Sequence, residues 1–267
     1  MWTILVISGA VGFIVYRFKG KFVTAYSNAS RVAAPIRTSL LPVPPIYRDI
    51  LQKYFPFYQN LDDNNKVRFE RKVCTFLYGK RFIPRNVDEV TVEAKVLIAA
   101  TAIQLTFGLS DIYLRHFSTI LVYPDDYYST ITRRFHRGEV NPMFGIIVLS
   151  WQSFIDGFIH ADSGINLGLH EMAHALRLEN IIYNEEYQFF DADLLDQLDA
   201  LAFTVCHSNH AMDEMILRPY ACTSKHEFFS VAVENFFERP VILRDYMPVL
   251  YNILRKLLNQ DPAANWA

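Results

Sequence analysis

His170, Glu171 and His174 stand in the order H-E-x-x-H within GLHEMAHAL. On an α-helix, positions i and i+4 lie one turn apart on the same face. Two imidazoles placed that way can grip one Zn2+ from a single rigid element, and the glutamate one residue on can reach a water held by the ion. The chemistry this composes is hydrolysis by a metal-activated water, with Glu171 as the proton acceptor. Met172, Ala173, Ala175 and Leu176 are uncharged, which suits a dry and packed helix.

A third ligand must come from elsewhere. The extended pattern H-E-x-x-H-x-x-G-x-x-H needs a glycine at position 177 and a histidine at 180, where this chain has Arg177 and Asn180. A downstream carboxylate is the other solution. The segment KHEFFSVAVENFF offers Glu227 and Glu234, seven apart and so on one helical face. Their neighbours are mostly Phe, Val and Ala, and a carboxylate in such a helix is costly unless it is paired or metal-bound. Spacing alone does not choose between the two. Cys206, His207 and His210 form a second metal-like group, but no partner pair of ligands stands near them, and they read as a polar helix end. His116, His136, His160 and His226 are isolated.

The elements that must hold these groups are mainly helical. Periodicity and turn residues predict helices near 62–79, 89–107, 164–179, 191–208, 225–237 and 241–258. The nearly apolar run VEAKVLIAATAIQLTF is a core helix rather than a membrane span, because it is short and contains Glu93 and Lys95. STILVYP (118–124) and GIIVLS (145–150) read as strands, with a polar loop at 125–144 between them. The expected class is α+β, mainly helical, with a small β-sheet.

Trp2 to Tyr16 is uncharged and is followed at once by Arg17, Lys19 and Lys21. A secretory signal wants its charge before the apolar core, so the order here predicts a retained N-terminal transmembrane helix with the bulk of the chain in the cytoplasm. The expected organisation is an anchor at 1–22, a Pro- and Ser-containing linker at 23–45 and one globular domain at 46–267. It implies a single-pass protein of the inner (cytoplasmic) membrane, attached through residues 2–18. Mean hydropathy is +0.09 over 267 residues. The first 16 residues carry more hydropathy than the whole chain nets, so the remainder averages near zero, as a soluble domain does. A net charge of -2 and a pI near 6.4 provide no basic field for nucleic acid. Cys74, Cys206 and Cys222 are odd in number, contain no C-x-x-C pair, and read as reduced buried thiols.

The segments GLHEMAHAL, RPYACTSKHEFFSVAVENFF and RKLLNQDP closely resemble the Mlc titration factor A family of zinc-dependent peptidases. FPFYQNLDDNNKVRFERKVCTFLYGKRF, VTVEAKVLIAATAIQLTFGL and STILVYP agree, so the resemblance covers about residues 46 to 262. Around its zinc site that family is similar to the catalytic domain of anthrax lethal factor. In both, a tyrosine precedes the third-ligand glutamate by seven positions, as Tyr220 precedes Glu227 here. The resemblance therefore implies a zincin-like domain with Zn2+ held by His170, His174 and Glu227. It also implies Glu171 as general base, Tyr220 as hydrogen-bond donor to the oxyanion, and Glu234 as a structural or ligand-orienting group. Arg177 stands where the family carries an acid. The implied activity is peptide-bond hydrolysis on a peptide or protein substrate. Because the family is named for capturing a transcriptional repressor, the alternative is a regulatory protein that sequesters such a partner, with proteolysis secondary.

Overall fold

A computed structural model describes residues 16–18, 21–23, 42–129, 134–160, 162–182, 189–207 and 216–266. The chain divides into two units, residues 1–40 and 41–267. In the first, β1 (Tyr16–Phe18) and β2 (Lys21–Val23) pair as an antiparallel ladder, Tyr16 opposite Val23. Most of the expected anchor lies outside the described residues. Its described end is strand rather than helix, in keeping with β-prone Tyr, Phe and Val interleaved with Arg17 and Lys21. Among the described residues no helix is long and apolar enough to cross a membrane.

In the second unit the chain opens with α1 (Pro45–Tyr54), α2 (Pro56–Gln59), α3 (Asp63–Gly79), β3 (Arg81–Pro84) and α4 (Val92–Thr106). Asp62 and Thr91 cap α3 and α4 by accepting from the backbone N–H of Asn65 and Ala94. Helix α4 is buried on almost every face, as its unbroken apolar run requires, and packs against α1, α3 and α6 (Leu167–Ile182).

The sheet runs β3-β4-β8-β7, from β4 (Thr119–Tyr123), β8 (Ile146–Ser150) and β7 (Gly138–Asn141). The first three strands are parallel, and β7 closes one side antiparallel, with Gly138 opposite Leu149. The segment expected as a loop at 125–144 thus contains a strand of the sheet and a hairpin of β5 (Tyr127–Ser129) and β6 (Arg134–His136). These strands are three or four residues long and polar, so their identity comes from pairing rather than from any alternation in their own residues.

Past the sheet come α5 (Trp151–Ile159), α6, α7 (Ala192–His207), a 3-10 turn (Pro219–Thr223), α8 (Lys225–Glu238), α9 (Pro240–Tyr246) and α10 (Pro248–Leu258). The single helix expected at 241–258 is broken between α9 and α10. Pro248 lacks the N–H that a continuous helix needs and instead opens the second piece.

Candidate metal centre

Asn166 starts the motif helix: its Oδ1 accepts from Leu169 N at 3.0 Å. One turn later His170 and His174 share a face, their ring centroids 4.7 Å apart and nearly perpendicular. Helix α8 packs along α6. Ser224 Oγ accepts from Glu227 N at 3.1 Å and so fixes where α8 begins. Glu227, in that first turn, reaches both histidines. Its Oε2 lies 3.1 Å from His170 Nε2 and 3.2 Å from His174 Nε2, and the two Nε2 atoms are 3.1 Å apart. Ligands bonded tetrahedrally to zinc at about 2.0–2.1 Å stand about 3.4 Å from one another. The triangle therefore has the size of one face of that tetrahedron. Among the described residues it is also the one group of His, Cys, Asp and Glu placed to hold an ion.

Glu234 occupies the other side of the same imidazole. It is wholly buried, and His170 Nδ1 lies 2.6 Å from its Oε1. Arg218 donates to both of its oxygens, at 2.7 and 2.9 Å, and Asn166 N donates to Oε2 at 2.7 Å. A carboxylate so placed holds the proton on Nδ1 and leaves the Nε2 lone pair facing Glu227 and His174. Two turns of α8 thus put its two glutamates on opposite nitrogens of one ring, and neither is a surface carboxylate.

Electrostatics make the same point. Burial disfavours charge on His170, but the hydrogen bonds to Glu227 and Glu234 outweigh it and carry its pKa to about 10. Burial works against the Glu227 carboxylate too, yet the two imidazoles hold it well below the usual range. The site calls for positive charge among its carboxylates, and a proton or a divalent cation answers that call.

Glu171 points from α6 toward β7 and is 5% exposed. Burial pushes its carboxyl upward, while His170 and His174 pull it down. A Cβ at Gly138 would overlap that carboxylate, so β7 approaches this closely because residue 138 has no side chain. Gly138→Ala is expected to displace Glu171 from its Cγ outward while the helix and strand that carry the two residues stay in place. Turnover should fall by about 10- to 100-fold with little change in melting temperature. Paired kinetics and thermal melts check this, and undiminished turnover would break the link between β7 and Glu171.

Tyr220 stands in the 3-10 turn, 48% exposed, its ring 6.0 Å from that of His170. Partial burial and the neighbouring Glu227, to which its hydroxyl donates, raise its pKa to about 12, so the phenol keeps its proton at neutral pH. A cavity of about 990 Å3 opens over His170, Glu171 and Tyr220 and extends past Asp125, Asp126 and Asp156.

Arg177 braces the packing around the motif helix. Buried, it pairs with Asp199 of α7, lies over the Phe229 ring and donates to Lys225 O, so it ties α6 to α7 and to the start of α8. Arg218, Asn166 and Gly138 all shape the centre and carry no motif. Only the nearness of Arg218 to Tyr220, and the helix-capping type of Asn166, were signals in the sequence. Cys74 is free and buried, as expected. The expectation for the other two cysteines is corrected: Cys206 and Cys222 form a disulfide, Cα atoms 5.4 Å apart. Sixteen residues separate them, and tertiary packing rather than a local motif brings them together. His207 stacks on Phe203 at the exposed end of α7, and His210 lies outside the described residues.

The profile of the glucose-regulated metallo-peptidase M90 family matches residues 29–258. An uncharacterised protein of Synechocystis is 29% identical over 250 residues, covering 84% of this chain and 87% of its own length. Mlc titration factor A of Pectobacterium atrosepticum is 28% identical over 231 residues, 78% of this chain and 84% of that protein. Its counterpart in Escherichia fergusonii is 26% identical over 241 residues, 79% and 88% of the two chains.

Proposed function

The chain belongs to the glucose-regulated metallo-peptidase M90 family, and from that premise we propose that it is a zinc-dependent peptidase. Zinc would be held by His170, His174 and Glu227. The observation that carries this reading is the 3.1–3.2 Å triangle of their ligand atoms, with Glu234 orienting one imidazole from behind. When bound there, zinc supplies a Lewis acid that brings the pKa of a water toward about 7. Glu171 takes the proton from the attacking water and hands it to the leaving amine. Tyr220 keeps its phenolic proton and donates it in a hydrogen bond to the oxyanion that develops on the scissile carbonyl. The burial of Glu171 and the apolar packing of α6 keep bulk water from competing for that proton transfer.

The test is metal stoichiometry beside activity. Wild type is expected to hold about one zinc per chain and to lose hydrolysis on chelation, with recovery on adding zinc. His170→Ala and Glu227→Ala should each lose the metal. A Glu227→Ala protein that kept its zinc would refute this ligand set.

The names of the Mlc titration factor relatives favour a second reading, in which the chain sequesters a transcriptional regulator. Capture of such a partner that is indifferent to both Glu171→Gln and chelation would favour binding over catalysis.

A further inference from the structure

The segment that brings Arg218 and Tyr220 to the centre is tied down covalently. Cys206 lies in the last turn of α7, and Cys222 lies in the 3-10 turn, two residues after Tyr220. Helix α7 packs on α8 and α10, so the bridge fastens the Tyr220 turn to a packed element. Besides the bridge, the turn is held by Arg218 on Glu234 at its start, by the Tyr220 hydroxyl on Glu227 and by packing on α8. Ala221 is buried, its N–H reaches Arg218 O at 2.9 Å, and Thr223 Oγ1 donates to Tyr220 O at 2.9 Å. The Tyr220 side chain itself is half exposed. Glu227 differs: it belongs to α8, where every residue from Phe228 to Phe237 is buried, so the ligand triangle does not need the bridge. Both cysteines are half-buried, within reach of a reductant.

We propose that Cys206 and Cys222 are a reversible redox modification site that positions Tyr220, with the disulfide form competent and the dithiol form slow. The opening step is exchange with a dithiol. A reductant thiolate attacks one sulfur, giving a mixed disulfide and releasing the other cysteine as thiolate. The reductant's second thiolate then attacks the reductant sulfur of that mixed disulfide and displaces the remaining cysteine as thiolate. Two electrons and two protons end on Cys206 and Cys222, and the dithiol leaves as its own disulfide. In a compartment that keeps thiols reduced, this opens the bridge, and in an oxidising one the bridge persists. Cys206 and Cys222 are positioning residues: they act through Tyr220 and touch no reacting atom.

The activity arm of the test rests on the peptidase reading, and two other arms do not. Purified full-length protein is oxidised with glutathione disulfide or reduced with a phosphine, which unlike a dithiol does not chelate zinc. Alkylation and peptide mapping should find Cys206 joined to Cys222 in the first sample and both alkylated in the second. Free thiols at both positions after oxidation overturn the proposal. Reduction is expected to lower kcat about tenfold, with KM and zinc content held. Cys206→Ser/Cys222→Ser should match the reduced enzyme and ignore reductant. In Tyr220→Phe the reductant effect on kcat should vanish, whereas a general brace would keep it, and that persistence also overturns the proposal. If the oxidised protein hydrolyses nothing, the peptidase reading fails, and hydrogen exchange decides the redox site. Faster amide exchange over 219–223 after reduction supports it, and unchanged exchange overturns it.

Discussion

Glu171→Gln is expected to lower kcat by about 10^2- to 10^4-fold, the usual worth of a positioned general base, while zinc stays near one equivalent. Glutamine matches the shape of the carboxylate but cannot accept and return the proton. The metal should remain because Glu171 is not a corner of the ligand triangle, which its two neighbours on α6 form with Glu227. Stability separates loss of chemistry from loss of fold. In the metal-free protein, burial holds the Glu171 carboxyl above its ordinary range. A carboxyl raised in the folded state costs stability as pH climbs through its unfolded value toward its folded one. The neutral amide removes that cost, so the melting temperature of chelator-treated Glu171→Gln at neutral pH should equal or exceed that of wild type. An active Glu171→Gln enzyme would sink the assignment. An inactive one that melts far below wild type would show that the glutamate serves the fold.

Glu234→Ala is expected to have the largest effect on stability. The side chain is wholly buried and answers Arg218 with two hydrogen bonds, Asn166 N with another and His170 Nδ1 with a fourth. Its removal leaves the Arg218 guanidinium without its counter-charge and two donors without an acceptor. Breaking a buried pair by deleting one partner typically costs about 3–5 kcal/mol, and loss of a group that orients a metal-bound imidazole typically weakens metal affinity by about 10- to 100-fold. Denaturant unfolding in excess chelator reads the first effect free of the second, and competition with a chromogenic chelator reads the second. Glu234→Gln keeps an acceptor and the volume, so it should fold and show the affinity loss in reduced form. Wild-type zinc affinity in both variants would remove Glu234 from the site.

The local part of this site was legible because helix geometry is a property of the backbone. A spacing of four from His170 to His174 is enough to put two imidazoles on one face, whatever else surrounds them. The unbroken apolar run of α4, the strands β4 and β8, and the capped starts of α3 and α8 are legible for similar reasons: each is written in a period of a few residues. The break before α10 was not read, because the hydrophobic pattern of 241–258 continues through Pro248, whose missing N–H ends one helix and opens the next.

The remaining features depend on contacts between distant residues. The spacing of Glu227 and Glu234 put them on one face of α8 but not on a given atom. Which glutamate meets Nε2 of His170 and which meets Nδ1 was settled by how α8 lies along α6, far along the chain from that histidine. Strand β7 exists because β8 offers it hydrogen bonds, and Gly138 matters only because Glu171 lies against it. Arg177 pairs with Asp199, 22 residues away, and Cys206 finds Cys222 across a segment without a repeat or motif. The sequence by itself determined the mainly helical class, the H-E-x-x-H face and a short set of partners for it, since backbone periodicity encodes these locally. The tertiary structure alone decided which partner stands at each nitrogen, what presses on Glu171 and which cysteine meets Cys222. Those choices rest on the packing of whole elements, whose energy is shared among many side chains and written in no single stretch of sequence.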